Sequence, residues 1–269
     1  MNKPLSLLAL ALAMALPTVA SAHKTFLVPS TTVLSDGDEA WLTVDAAVSN
    51  DLFYFNHVPL RVDGLSVVSP DGSTVAPENL ASGKYRNTFD LHLTRQGTYR
   101  IAVVNSGMMA TYEDADGAKR RARGRSGALD IPADAKNVEI TETQSRVETF
   151  ATLGKPDQAA LKPAGSGLEL VPVTHPNDLF DGEKAGFRLL MDGKPAANVE
   201  VHIVPGGTRY RDRQDEILAT TDAEGAFSVT FPQPGLYWMN ASVSGAKPTL
   251  KDAKARRASY TATLEVLPQ

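Results

Sequence analysis

Apolar and polar residues alternate with a period of two along most of this chain, in short runs closed by Gly, Pro, Asp and Asn, and no long stretch follows the helical period. Successive side chains of a strand point to opposite faces, so such runs predict half-buried strands. They fall at 25–29, 39–48, 60–69, 88–94, 98–105, 137–141, 168–173, 185–191, 199–204, 217–221, 226–231, 236–243 and 260–266. A run at 146–152 reads either as a strand or as a helical turn.

The two halves repeat one pattern. FDLHLTRQGTY at 89–99 aligns without a gap on FSVTFPQPGLY at 227–237, and the register holds on to Gly107 and Gly245. In each, an alternating strand enters a Gly-x-Tyr turn and leaves as a second strand, as at the corner between late strands of a β-sandwich. The expected fold is therefore all-β, with two tandem immunoglobulin-like or regulatory-type β-sandwich domains, at 23–153 and 167–269. The intervening 154–166 is poor in large apolar residues and broken by proline, which marks a linker.

Residues 1–22 contain one charge, Lys3, an apolar run over 5–16, Pro17 and the small-x-small sequence Ala20, Ser21, Ala22. This is the pattern of a cleaved signal peptide and predicts a periplasmic address. Removing those 22 residues from 269 leaves 247 and, with Lys3 lost, takes the formal charge from −4 to −5. A mildly acidic chain does not suit nucleic acid as a partner, and no later stretch is apolar enough for a membrane-spanning helix. Cysteine is absent, so hydrophobic cores rather than disulfides must hold each domain, and thiolate metal sites are excluded.

Cleavage after Ala22 would make His23 the first residue. A terminal histidine offers an amine and an imidazole that can chelate one ion together, and an amine pKa of about 8 keeps the proton cost of binding small. Four other histidines exist: His57, His92, His175 and His202. His57 closes an aromatic run in a predicted loop, and His92 alternates with Leu91 and Leu93 so as to face away from the core. His175 and His202 read as structural. The expected metal ligands are His23, His57 and His92, whose nitrogen donors suit nickel, cobalt or copper. No pair has the spacing of a local binding motif, so the site depends on the fold.

Met108 and Met109 offer soft thioethers or simply fill an apolar gap. Glu113, Asp114 and Asp116 precede Lys119, Arg120, Arg121, Arg123 and Arg125, charges that pair with one another or form a loop for an anionic partner. Arg209, Arg211 and Arg213 make a second basic spot. Asp222 and Glu224 read as a turn rather than a calcium loop. Phosphate-loop, nucleophile-elbow and H-E-x-x-H motifs are missing, so the chain is not expected to be an enzyme.

HKTFLVP at 23–29, DLFYFNH at 51–57, LELVPVTHP at 168–176 and FRLLMDGKP at 187–195 resemble bacterial periplasmic proteins of a domain-of-unknown-function family labelled as nickel-uptake (NikM-like) or periplasmic cobalt-transport components. The second half, from DGKP at 192–195 to GLYW at 235–238, is also similar to carboxypeptidase-regulatory and collagen-adhesin sandwich modules. The resemblance implies a metal-handling accessory of a membrane metal transporter, and of the candidate ligands only His23 and His57 lie in the segments that carry it. A binding module without metal, docking an envelope protein or a glycan, is the alternative. A copper oxidase built on an N-terminal histidine is a third class.

Overall fold

The structure, a computed structural model, describes residues 23–35, 37–125 and 129–269; the expected signal peptide lies outside them. They form an all-β sandwich protein. Its strands are β1 (Lys24–Pro29), β2 (Val33–Leu34), β3 (Ala40–Ser49), β4 (Val58–Pro59), β5 (Leu65–Val68), β6 (Glu78–Ser82), β7 (Asn87–Leu93), β8 (Gly97–Glu113), β9 (Lys119–Gly124), β10 (Lys136–Leu153), β11 (Leu168–Pro172), β12 (Lys184–Met191), β13 (Lys194–Pro195), β14 (Glu200–Pro205), β15 (Ile217–Thr220), β16 (Ala226–Thr230), β17 (Gly235–Ala246) and β18 (Ala255–Val266). No helix among the described residues is long and apolar enough to cross a membrane.

Three sheets make two layers of packing. A central sheet runs β15-β14-β17-β18-β10-β8-β5, with β9 and β2 added at β8 and β10. It spans both halves, because β10 and β18 pair in parallel from Thr141 beside Ala255 to Thr149 beside Thr263. A first outer sheet, β1-β3-β7-β6 with β4 on β3, supplies Leu42, Val44, Phe89 and Leu91 to a core shared with Tyr99, Ile101, Val147 and Ala151. A second, β11-β12-β13 with β16 on β12, packs Phe187, Leu189 and Phe227 against Ile203, Tyr237, Met239 and Tyr260. Val147 and Ala151 of β10 belong to the first core and Phe150 to the second. Alternation along one strand therefore places the outer sheets on opposite faces of the central one.

The repeated Gly-x-Tyr corners carry the chain from each outer sheet into the central sheet. Tyr99 donates to the Arg95 carbonyl and accepts from its N–H, each at 2.9 Å, and Tyr237 donates to the Gln233 carbonyl at 2.8 Å. Gly97 and Gly235, with φ of 125° and 132°, take a backbone shape that disfavours side chains.

The connection over 154–167 is tied down along its length. Ala160 and Leu161 are buried, and the Glu169 carboxylate accepts N–H bonds from Ala164, Gly165 and Ser166 at 2.8, 2.7 and 3.1 Å. Both residues 137–141 and 146–152 lie within the single 18-residue strand β10, which removes the helical-turn alternative. The strands β2, β4, β6, β9 and β13 lie outside the alternating runs; all five residues of β6 are exposed, so it has no apolar face to signal it.

Two buried ionic groups hold the β10–β18 seam. Arg146 reaches Glu148 at 2.8 Å and Glu169 at 3.3 Å, and Tyr260 donates to Glu148 at 2.8 Å. Burial, and then the Glu148 charge, push the Tyr260 hydroxyl well above the usual tyrosine range, so it stays a donor. Arg256 meets Asp192 at 2.7 Å and Gln144 at 2.8 Å. Arg146→Leu would leave Glu148 and Glu169 buried without their cation, a loss of about 3–5 kcal/mol. We expect urea unfolding to show that loss, with the exposed Arg120→Ala leaving the unfolding midpoint almost unchanged.

Candidate metal centre

His23 and His57, 34 positions apart in sequence, stack with ring centroids 3.9 Å apart and planes 10° from parallel. The topology brings them together from either side of one strand end. Lys24 begins β1 opposite Ser49, the last residue of β3, and Val58 begins β4 opposite Val48. Each histidine is thus the residue before a strand that flanks β3, and the two rings meet across its end.

Polar bonds fix the intervening loop. The Asn56 side-chain oxygen accepts from the Ser49 hydroxyl and from the Asn50 N–H at 3.1 Å, while its amide nitrogen donates to Asp51 at 2.8 Å. Beneath the pair, Phe26, Ala47 and Leu52 pack with Val204 and Trp238 of the second half. Trp238 Nε1 donates to the Thr25 carbonyl at 3.0 Å, and the Leu52 N–H donates to Thr208 Oγ1 at 3.2 Å. Lys24 lies over the Trp238 ring and donates to Gln214 at 2.7 Å; burial lowers its pKa, opposed by the charges of Glu216 and Asp51. The histidine pair is therefore anchored to both halves. Asn56 and Trp238 carry no ligand chemistry of their own, which is why motif reading passes over them.

His92 is not part of this group. It pairs across from Trp41, eight residues from the Ser49 end of β3, or about 26 Å at strand spacing. There it stacks on Trp41 at 4.5 Å and bonds Glu39 at 2.8 Å, which removes it from the ligand set expected from sequence. Among the described residues no three His, Asp or Glu side chains converge as a metal cluster. The donors at the pair are two imidazoles and the His23 main-chain nitrogen, an amine only when the chain starts there. Lone pairs lie in the ring planes, so near-parallel rings aim them alongside each other. Holding one ion requires rotation about the Cβ–Cγ bonds, for which the exposure of His23 leaves room.

Fold and site together define an all-β sandwich protein with a paired-imidazole site where its halves meet. Residues 20–245 match the family described as a domain of unknown function (DUF4198), and the chain belongs to that family. That description contains neither nickel nor cobalt, so the transport label expected from the resemblance is not carried by family membership. No curated protein matches the sequence. Among solved structures, the D0-D1 domain of intimin is similar at 14% identity over 90% of this chain and 97% of that one, with a TM-score of 0.23. The Yersinia pseudotuberculosis adhesin InvE is similar at 13% identity over 90% and 60%, with a TM-score of 0.24.

The remaining expected groups are placed as follows. Lys119 to Arg125 is not a loop but strand β9 and its end, with Arg120 paired to Asp114 at 2.7 Å. Arg211 organises its own loop, donating to the Pro205 carbonyl at 2.9 Å and pairing with Asp215 at 3.0 Å. Asp222 Oδ1 accepts from the Glu224 and Ala226 N–H groups, as a turn residue does. His202 bonds Glu216 at 2.8 Å. His175 Nδ1 accepts from the Asn177 N–H at 3.2 Å, leaving Nε2 to donate to the Asp157 carbonyl at 3.0 Å. Burial lowers the His175 pKa, opposed by the Asp157 hydrogen bond. The folded state thus favours the neutral ring, and the unfolded chain takes up its proton first as pH falls below about 6.5. We expect wild type to lose more unfolding free energy than His175→Gln between about pH 7.5 and about pH 5.5; an equal loss in both would contradict this.

Proposed function

We infer that this is an exported envelope protein that binds a transition-metal ion through His23 and His57. The observation that carries the reading is the stacking of two imidazoles from distant segments at an exposed strand end. Trimming after Ala22 adds the His23 amine, giving three nitrogen donors from two residues. Such a set favours Cu(II) over Ni(II), Co(II) and Zn(II), the order of intrinsic affinity for nitrogen sites. Asn56 holds the loop that delivers His57, and the Trp238 bond to Thr25 holds the strand that delivers His23. As no third His, Asp or Glu among the described residues joins the pair, the ion would remain accessible to a partner, which suits transfer to or from a membrane transporter.

Calorimetric titration of metal-stripped protein tests this, after mass spectrometry has verified a start at His23. The expected result is one Cu(II) bound more tightly than about micromolar, with affinity at least about tenfold weaker in His57→Ala and unchanged in His92→Ala. A chain that retains Ala22 should also bind at least about tenfold more weakly, because its His23 nitrogen is an amide. Asn56→Ala should weaken binding while keeping one site per chain. Equal affinity in wild type and His57→Ala would sink the reading.

A further inference from the structure

The central sheet is longer than the outer sheet that covers it, and the uncovered part forms a cleft of about 680 Å³. Val48 and Val58 mark the rim where the outer sheet stops, and the floor is the exposed face of β8, β10 and β18. Register fixes that floor. Gly107 of β8 stands beside Thr143 of β10, which stands beside Arg257 of β18. One row along, Arg123 of β9 stands beside Met109 and then Thr141, and in the other direction Asn105 lies beside Ser145 and then Ser259.

Four guanidinium groups, those of Arg61, Arg123, Arg125 and Arg257, line this cleft, and no Asp or Glu does. Asp63, outside the lining, pairs with both Arg61 at 3.0 Å and Arg125 at 2.7 Å. Arg123 and Arg257 have no ion pair among the described residues. In a chain of net charge −4 this is a local reversal of sign. The arginines come from three segments, and β9 and β18 are three strand spacings apart, about 14 Å. Gly107 puts no side chain on the floor between them; a Cβ there would lie 2.8 Å from the Gly124 carbonyl oxygen. Guanidinium forks bind carboxylate and phosphate oxygens two at a time, and the Thr143, Ser145 and Ser259 hydroxyls can meet the oxygens left over. Aromatic side chains, which would stack on a neutral sugar, are absent from the lining.

We propose that this cleft binds a small polyanion bearing two or more carboxylate or phosphate groups. The site is independent of metal at His23 and His57. The test is calorimetric titration of the whole metal-stripped protein with citrate and, separately, with tripolyphosphate. At least one should bind at sub-millimolar concentration. Arg257→Gln and Arg123→Gln should each weaken binding about tenfold or more, and the double variant should abolish it. Arg120→Gln, on the other face of β9 and paired with Asp114, should bind as wild type does. Binding of citrate alone identifies a carboxylate ligand, binding of tripolyphosphate alone a phosphate ligand, and comparable binding of both a general oxyanion site. Failure of both anions to bind, or an equal loss in Arg120→Gln, would overturn the proposal.

Discussion

Strand β10 must satisfy two hydrophobic cores and a polar seam at once. Its odd positions, Val147 and Ala151, face the first core, while Phe150 faces the second, with Arg146 and Glu148 buried on that same face. Among the described residues, the parallel pairing with β18 is the one strand ladder that joins the two halves. Burying charges there carries a desolvation cost of several kcal/mol per ion, which is recovered only when each charge is paired and hydrogen-bonded. The seam meets that condition through Arg146 with Glu148 and Glu169, and through Arg256 with Glu142 and Asp192. Glu142 is further held by Thr249 and Leu250, and Glu169 by three N–H groups of the connecting segment. The connecting segment is consequently part of the seam.

A joined central sheet makes a composite site possible. The first outer sheet packs on the central sheet close enough for Phe26 and Ala47 to meet Val204 and Trp238 from the second half. The indole N–H bond to the Thr25 carbonyl then fixes the backbone two residues after His23. On the other flank of β3, the Asn56 amide closes the loop immediately before His57. Two residues that a flexible start and a flexible loop would hold loosely are each anchored one or two positions away.

Much of this architecture was readable in the alternation of side chains. The matched segments at 89–99 and 227–237 correspond to the corners where Tyr99 and Tyr237 bond back four residues, because a half-buried strand entering a Gly-x-Tyr turn leaves a local signature. The shared sheet left none. Parallel pairing of β10 with β18 joins positions more than a hundred residues apart, and its members Arg146, Glu148 and Arg256 look like surface charges until their partners are known. The same limit applied at the site. Histidine identity marked His23, His57 and His92 alike, but only strand register separates the end of β3 from its beginning, where His92 stacks on Trp41.

The two candidate binding features share a geometric origin. Strand β3 ends at Ser49 after ten residues, whereas β8 and β10 run for 17 and 18. An outer sheet as long as the central one would bury the rings of His23 and His57 within a continuing ladder, and would cover the floor at Gly107 and Thr143. Because it stops short, its end presents the imidazole pair, and the face just beyond Val48 and Val58 stays open with arginines around it. The early termination itself follows from the loop at 50–57, where Phe53 has φ of 64°, the Asn56 side-chain oxygen accepts the Asn50 N–H and the Ser49 hydroxyl accepts the Asn56 N–H, backbone donors that a continuing ladder would have used. A short polar loop thus decides where the outer sheet ends, and with it which surfaces of this fold are available for chemistry.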